Sequence, residues 1–434
     1  MTDLDSYDEM EDEELDRLVS LTFYDENGKL GGRRSKFDHH DIEAAELFLK
    51  KSGVLDLLDS FDRADGWDRR MGGRKQMIFH RHMLIAFYLL AQDRSPLWLR
   101  EIARLFRSRL TPRARQMLDL PENSGREFDI HERKFWDNAA ANGMRRLLRI
   151  LDPWYGVPRN KLLSKEARLD ALESLNKAVM AERRNRLNTF TSTMLEGTFL
   201  YIPRQVRRKL ARLNISMDQT YVSSFSQRGT GKTKKPEPGH RIDPLALERE
   251  IPRELRDALV AEPEARWYPK NQKDREGNTK LGDDGKPVVS FGWGYGATFG
   301  LLAAPDDESI AVPHIVLGFT LAPANTDIPG EALRSLDQLT DRGHRPGHVT
   351  MDRGYVAAYD SETLLFPLRG RGWDIVTDYM PHDLAPVVTE SGAIVVAGTP
   401  MCPALPAHLA ALNGTELTDA TRAQWFGERT RFDL

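Results

Sequence analysis

Apolar residues recur at helical spacing through the first half of the chain and at strand spacing through much of the second. Between positions 76 and 90, Met77, Ile78, Met83, Leu84, Ala86, Phe87, Leu89 and Leu90 cover a broad helical face. Ser95-Pro96 then reads as a helix start, with Ser95 as N-cap and Pro96 at the first helical position. The helix predicted over 97–110 puts Leu99, Ile102, Ala103, Phe106 and Leu110 on one face and Arg100, Arg104 and Arg107 on the other. Helix, short turn and basic amphipathic helix fit a helix-turn-helix, and fit an ordinary helical bundle equally well. Residues 36–210 as a whole are predicted to be mostly helical.

The pattern changes near residue 213. Ile215–Met217 form a short apolar run that stops at Asp218. Residues 228–287 are rich in Gly, Pro, Lys and Asp and read as an exposed excursion, with some helix over 244–260. Gly231-Lys232-Thr233 is not a phosphate loop, because Ser226 stands where the first glycine is needed. Long and short strands are predicted over 288–302 and 314–321, then a helix over 331–342. A strand over 347–352 ends at Asp352, a helix follows over 356–368, and a last strand spans 373–379. Asn325 and Asp327 read as turn residues. Residues 380–403 look like the start of a small β-rich insertion.

Charge divides the chain more sharply than its net value of −3 implies. Nine acids and one base crowd residues 1–17, an acidic leader extending to about residue 35 with the composition of a disordered segment. Of the chain's 62 bases and 65 acids, 61 and 56 lie beyond residue 17. Residues 69–115 hold twelve bases against two acids, Asp93 and Glu101. A second basic cluster, Arg204, Arg207, Arg208, Lys209 and Arg212, precedes Asp218. Such clusters can neutralise phosphates, although one cluster alone reads most simply as a solvated helix face. The single cysteine, Cys402, excludes an internal disulfide and a cysteine-built zinc site. No apolar run approaches the roughly 18 residues of a membrane helix and no signal peptide is evident, so the expected location is cytoplasmic, at the nucleoid. His39-His40 and the pair His80 and His82 read as solvated or packed, not as metal ligands.

Two strand-borne aspartates, in the order strand, two strands, helix, strand, helix, strand, are the chemically informative set. The segment Met351-Asp352-Arg353-Gly354-Tyr355 and the segment Met217-Asp218-Gln219-Thr220 resemble the two aspartate motifs of DDE transposases of bacterial insertion sequences. The resemblance spans roughly residues 75–380. It implies an α/β fold: a helical, basic, DNA-binding region over 36–210, then an RNase H-like core over 211–380, with a β-rich insertion over 381–434. It also implies metal-dependent cleavage and strand transfer of transposon-end DNA. Two Mg²⁺ or Mn²⁺ ions roughly 3.5–4 Å apart would serve that chemistry. Asp218 would bridge both ions and Asp352 would bind one, since hard cations take carboxylate oxygens. Tyr355 is expected to pack, and Arg353 to pack or meet phosphate. Arg100, Arg104, Arg107, Arg207, Arg208 and Lys209 are the expected contacts to transposon-end and target DNA, and a homo-oligomer fits the class.

The same resemblance calls for a third acid on a later helix with a Tyr-x-x-Arg-x-x-x-Glu-like pattern. None of Glu416, Asp419 and Glu428 is preceded by a suitable Tyr and Arg. The sequence reading is therefore of a transposase whose chain stops inside the insertion, with little or no cleavage activity alone. Two further readings stay open: a non-catalytic DNA-binding remnant and an unrelated RNase H-like nuclease.

Overall fold

The computed structural model describes residues 36–67, 77–122, 129–157, 165–224, 262, 264–274, 278–282, 285–305, 311–352, 355 and 361–377, with short pieces between 387 and 431. The acidic leader and the helix expected over 244–260 lie outside the described residues. The first half is helical: α1 (His39–Ser52), α2 (Val54–Ala64), α3 (His80–Gln92), α4 (Leu99–Arg104), α5 (Pro112–Met117), α6 (Ile130–Leu151), α7 (Lys165–Glu173), α8 (Lys177–Leu200) and α9 (Arg204–Arg207). Phe37, Ile42, Leu49, Leu58, Ile85, Leu89, Phe106 and Trp136 are among the residues of its common core. Asp38 caps α1 by accepting from the backbone of His40 and Asp41, so His39-His40 forms the first turn of a helix.

Two helix starts differ from the sequence reading, and side chains explain both. α3 begins at His80, where the Phe79 N–H donates to His82 Nδ1 at 3.1 Å and closes the helix end. His82 Nε2 then donates to the Leu118 carbonyl at 2.9 Å, while His80 turns to Asp62 at 2.8 Å. Ser95 does not cap the next helix, because its hydroxyl donates to Asp93 Oδ2 at 2.6 Å. α4 starts only at Leu99 and passes after six residues into a π-helical turn, Leu105–Arg109. The wider turn keeps Leu105 and Phe106 in the core and also brings Arg109 inward to Asp93, at 2.6 Å.

The second half is a mixed sheet of six strands: β1 (Leu213–Ser223), β2 (Arg266–Asn271), β3 (Val289–Leu302), β4 (Val316–Pro323), β5 (Pro346–Met351) and β6 (Asp374–Val376). Its order is β4-β3-β1-β5-β6, and β2 shares with β4 the edge of β3 that faces away from β1. β3 runs antiparallel to β1, β2 and β4, whereas β1, β5 and β6 run parallel. β1 does not end at Asp218. The length of β3 gives residues 218–223 partners at Phe299 back to Gly294, so the strand continues for five residues more. The excursion is likewise not all loop, since Arg266–Asn271 pairs with the start of β3. Trp267 meets Trp293 edge to face and Tyr268 stacks on Tyr221, while Pro269 is tolerated because β2 is an edge strand.

One face of this sheet is covered. α10 (Ile328–Asp341) crosses from β4 to β5 and buries Ala332, Leu336 and Leu339 against Ile215, Met217, Leu317, Val349 and Met351. It starts before the predicted 331 because Asp327, at φ 47°, accepts from the Gly330 N–H. Gly318 lets this helix approach closely: a Cβ there would lie 2.6 Å from the Ser335 carbonyl oxygen. Gln338 occupies the free edge of β4, bonding both the Phe319 N–H and its carbonyl, which blocks pairing by another strand. α11 (Leu365–Gly370) overlaps the predicted 356–368 only at its end, since residues 361–364 form turns. Three short strands, β7 (Val387–Val388), β8 (Ile394–Val396) and β9 (Thr399–Met401), form a separate antiparallel sheet. Among the described residues no helix is long and apolar enough to cross a membrane.

The helical half is fastened to the sheet at Glu196 on α8. Its carboxylate accepts from His344 Nε2 at 2.8 Å and pairs with Arg342 Nε at 2.8 Å, and Arg342 also donates to the Leu317 carbonyl. Burial raises the Glu196 pKa, but His344 and Arg342 outweigh it and hold the group below its ordinary 4.5. A folded pKa below the unfolded one gives stability that is complete above about pH 4.5 and is lost as pH falls through the lowered value. Glu196→Gln should therefore cost about 1–3 kcal/mol at neutral pH. In urea titrations across pH, the gap to wild type should close in acid; a gap independent of pH would refute this account.

Candidate metal-binding face at the ends of two parallel strands

Alternation along β1 sends Ile215 and Met217 into the covered face, and Ser216, Asp218 and Thr220 to the other. β5 does the same, with Val349 and Met351 inward and Thr350 outward. The parallel register pairs Ile215 with Val349, Ser216 with Thr350 and Met217 with Met351. Asp218 and Asp352 therefore stand side by side, each one residue beyond the last register pair. Both are exposed. Residues 134 apart in sequence become neighbours because α10 returns the chain to the same sheet beside β1.

Neither aspartate is neutralised by a described residue. Among the described residues the Asp218 side chain accepts one hydrogen bond, from the backbone N–H of Gln219 at 2.7 Å. Asp352 forms no ion pair with the described residues, and its carbonyl accepts from the Tyr355 N–H at 3.2 Å to begin a turn. Tyr355 is buried in the sheet core, so its part is packing. Arg353 and Gly354 lie outside the described residues. Two adjacent, unpaired carboxylates offer hard oxygen ligands to one divalent cation whose remaining positions water can fill. Among the described residues no group of three or more His, Cys, Asp or Glu could hold a metal, so neither Glu428 nor another described acid joins the pair. Ser216 and Thr350, a register pair on the exposed face, are oxygen donors beside the pair that sequence reasoning missed. Only the cross-strand register, which no sequence pattern shows, reveals them.

The basic residues are not gathered at the acids. Arg207 donates through Nε to the Ile202 carbonyl at 2.8 Å, while Arg208 and Lys209 are exposed. These three precede the start of β1, and Asp218 lies five residues into that strand, roughly 17 Å along it. Arg212 is engaged with Asp374 at 3.0 Å. Arg100, Arg104 and Arg107 sit in the helical half, where they line a groove with Arg133 of α6. No protein family, curated protein or solved structure matches the chain.

Proposed function

We propose that this chain is a transposase of the DDE type, with an RNase H-like core that acts on the ends of a DNA element. The observation that carries the reading is the Met217–Met351 register, which leaves Asp218 and Asp352 adjacent, exposed and without a counter-cation among the described residues. The chain order of β1, β3, β4, α10, β5, α11 and β6, with β2 added between β1 and β3, supports the reading. Asp218 and Asp352 would hold Mg²⁺ or Mn²⁺. When bound, the ion activates a nucleophilic oxygen and stabilises the leaving oxygen of a phosphodiester. The chain's own part is to fix two carboxylates on a rigid sheet and to bind the phosphates with arginines and lysines outside the pair.

A second reading, non-catalytic occupation of element ends, is favoured by one observation: no third acid stands with the pair among the described residues. Both readings are tested on duplexes carrying the ends of the DNA that encodes the chain, with and without Mn²⁺. The proposal expects salt-dependent binding that prefers those ends, and Mn²⁺ binding that needs both aspartates. Nicking or strand transfer supports a working site; binding without either selects the non-catalytic reading. Equal affinity for unrelated duplex, or Mn²⁺ binding indifferent to both aspartates, overturns the proposal. Cleavage confined to RNA–DNA hybrids points instead to an RNase H-like nuclease.

A further inference from the structure

α4 and the first turns of α6 flank a groove of about 160 Å³ that is lined mainly by charged side chains over the buried Trp136. Arg100, Arg104, Arg107 and Arg133 line it, against Glu101 and Asp137. Two of the arginines are held only loosely, Arg104 at 3.6 Å from Glu101 and Arg133 at 3.8 Å from Asp137. Arg100 and Arg107 form no ion pair with the described residues. Exposed pairs of this kind contribute little and exchange readily for another anion. The groove is therefore cationic and open to a polyanion.

Next in sequence to its lining residues the chain exposes large apolar side chains. Trp98, immediately before α4, is 68% exposed, with Leu97 at 50%. Phe135 on α6 is 43% exposed. An indole left in water costs free energy unless a partner covers it. Arginines that track phosphates beside an aromatic ring that can take a base face are the two parts of a single-strand binding surface. In an intact duplex the base faces are stacked on one another and closed to an indole. An unpaired strand offers both phosphates and free base faces at once.

We infer that the Trp98 edge of the α4–α6 groove binds single-stranded DNA, with a base stacked on Trp98 and phosphates held by Arg100, Arg104, Arg107 and Arg133. The inference rests on the DNA-processing reading above, which supplies DNA as the polymer, and it adds the preference for unpaired strands. Alternatives with protein partners are an outcome of the same test.

The test compares full-chain wild type, Trp98→Ala and Trp98→Phe on oligo(dT) of about 16 nucleotides and on the matching duplex, in EDTA. Tryptophan emission of the wild type should be quenched by oligo(dT). Trp98→Ala should weaken oligo(dT) binding about tenfold or more, Trp98→Phe should recover most of it, and duplex affinity should fall far less. The double variant Arg100→Gln/Arg107→Gln should flatten the salt dependence. Unchanged oligo(dT) affinity in Trp98→Ala, or an equal loss on duplex, overturns the inference. So does self-association of wild type that is lost in that variant, which would make the patch a protein contact. If wild type prefers element ends but Trp98→Ala binds oligo(dT) equally well, only this inference fails. If wild type binds neither oligo(dT) nor duplex, the DNA-processing reading fails with it.

Discussion

Asp218→Asn is expected to weaken Mn²⁺ binding by at least about 100-fold and to leave the folded state intact. Even groups that only orient a ligand cost about 10–100-fold in metal affinity when removed, and a direct ligand should cost no less. Stability should not fall, because the side chain is exposed and, among the described residues, bonds only its own neighbour's N–H. Removing one of two adjacent like charges, if anything, relieves repulsion. Asp352→Asn should have the same effect. The double variant should be little worse than either single one, because two ligands that act as a chelate lose most of their affinity together.

A control separates this from a general effect of surface charge. Asp374, at the start of the neighbouring strand β6, is also exposed but is paired with Arg212. Asp374→Asn should leave Mn²⁺ affinity unchanged. Electron paramagnetic resonance of free Mn²⁺ during titration reads all four proteins. Retention of tight Mn²⁺ binding by either single variant would remove the pair as a metal site, and with it the main support for DDE-type chemistry.

How far the sequence revealed this site depends on which physical signal carried each residue. Asp352 was legible because an apolar strand stops one residue before it, at Met351, and a turn follows. Asp218 was legible as a residue but not in its setting. The apolar run does stop there, yet β1 continues as Gln219–Ser223 because β3 is long enough to pair with it. That strand extension is a tertiary effect, invisible in local pattern. β2 was hidden for a related reason: Arg266, Pro269 and Lys270 look like loop, and only the free edge of β3 makes a strand of them. Ser95-Pro96 failed in the opposite way. Its local signal for a helix start was strong, but Asp93 captured the Ser95 hydroxyl, and the helix began three residues after Pro96. The adjacency of Ser216 and Thr350 to the acids had no sequence signal at all, since register is set by the whole sheet.

The same Asp93 should show the largest stability effect in the chain. Its side chain is fully buried and that of Arg109 nearly so, and their atoms approach to 2.6 Å. Ser95 also donates to the carboxylate, and the Arg109 guanidinium lies 4.8 Å from the centre of the Phe37 ring. Phe37 in turn bonds Arg109 and Thr111 through its backbone, so the cluster ties the segment before α1 to the π-helical turn. Asp93→Ala would remove the carboxylate that lies 2.6 Å from a nearly buried guanidinium. Breaking such a pair from one side costs about 3–5 kcal/mol, far more than the pair contributes as a whole. The double replacement Asp93→Leu/Arg109→Met removes both charges and should restore most of that loss, because apolar residues of similar volume often match a buried ion pair. Equilibrium unfolding in urea distinguishes the cases. A cost below about 1 kcal/mol for Asp93→Ala would mean that water reaches Arg109, as at an exposed pair. A double variant no better than the single would mean that the pair specifies the π-helical turn itself, beyond neutralising a buried charge.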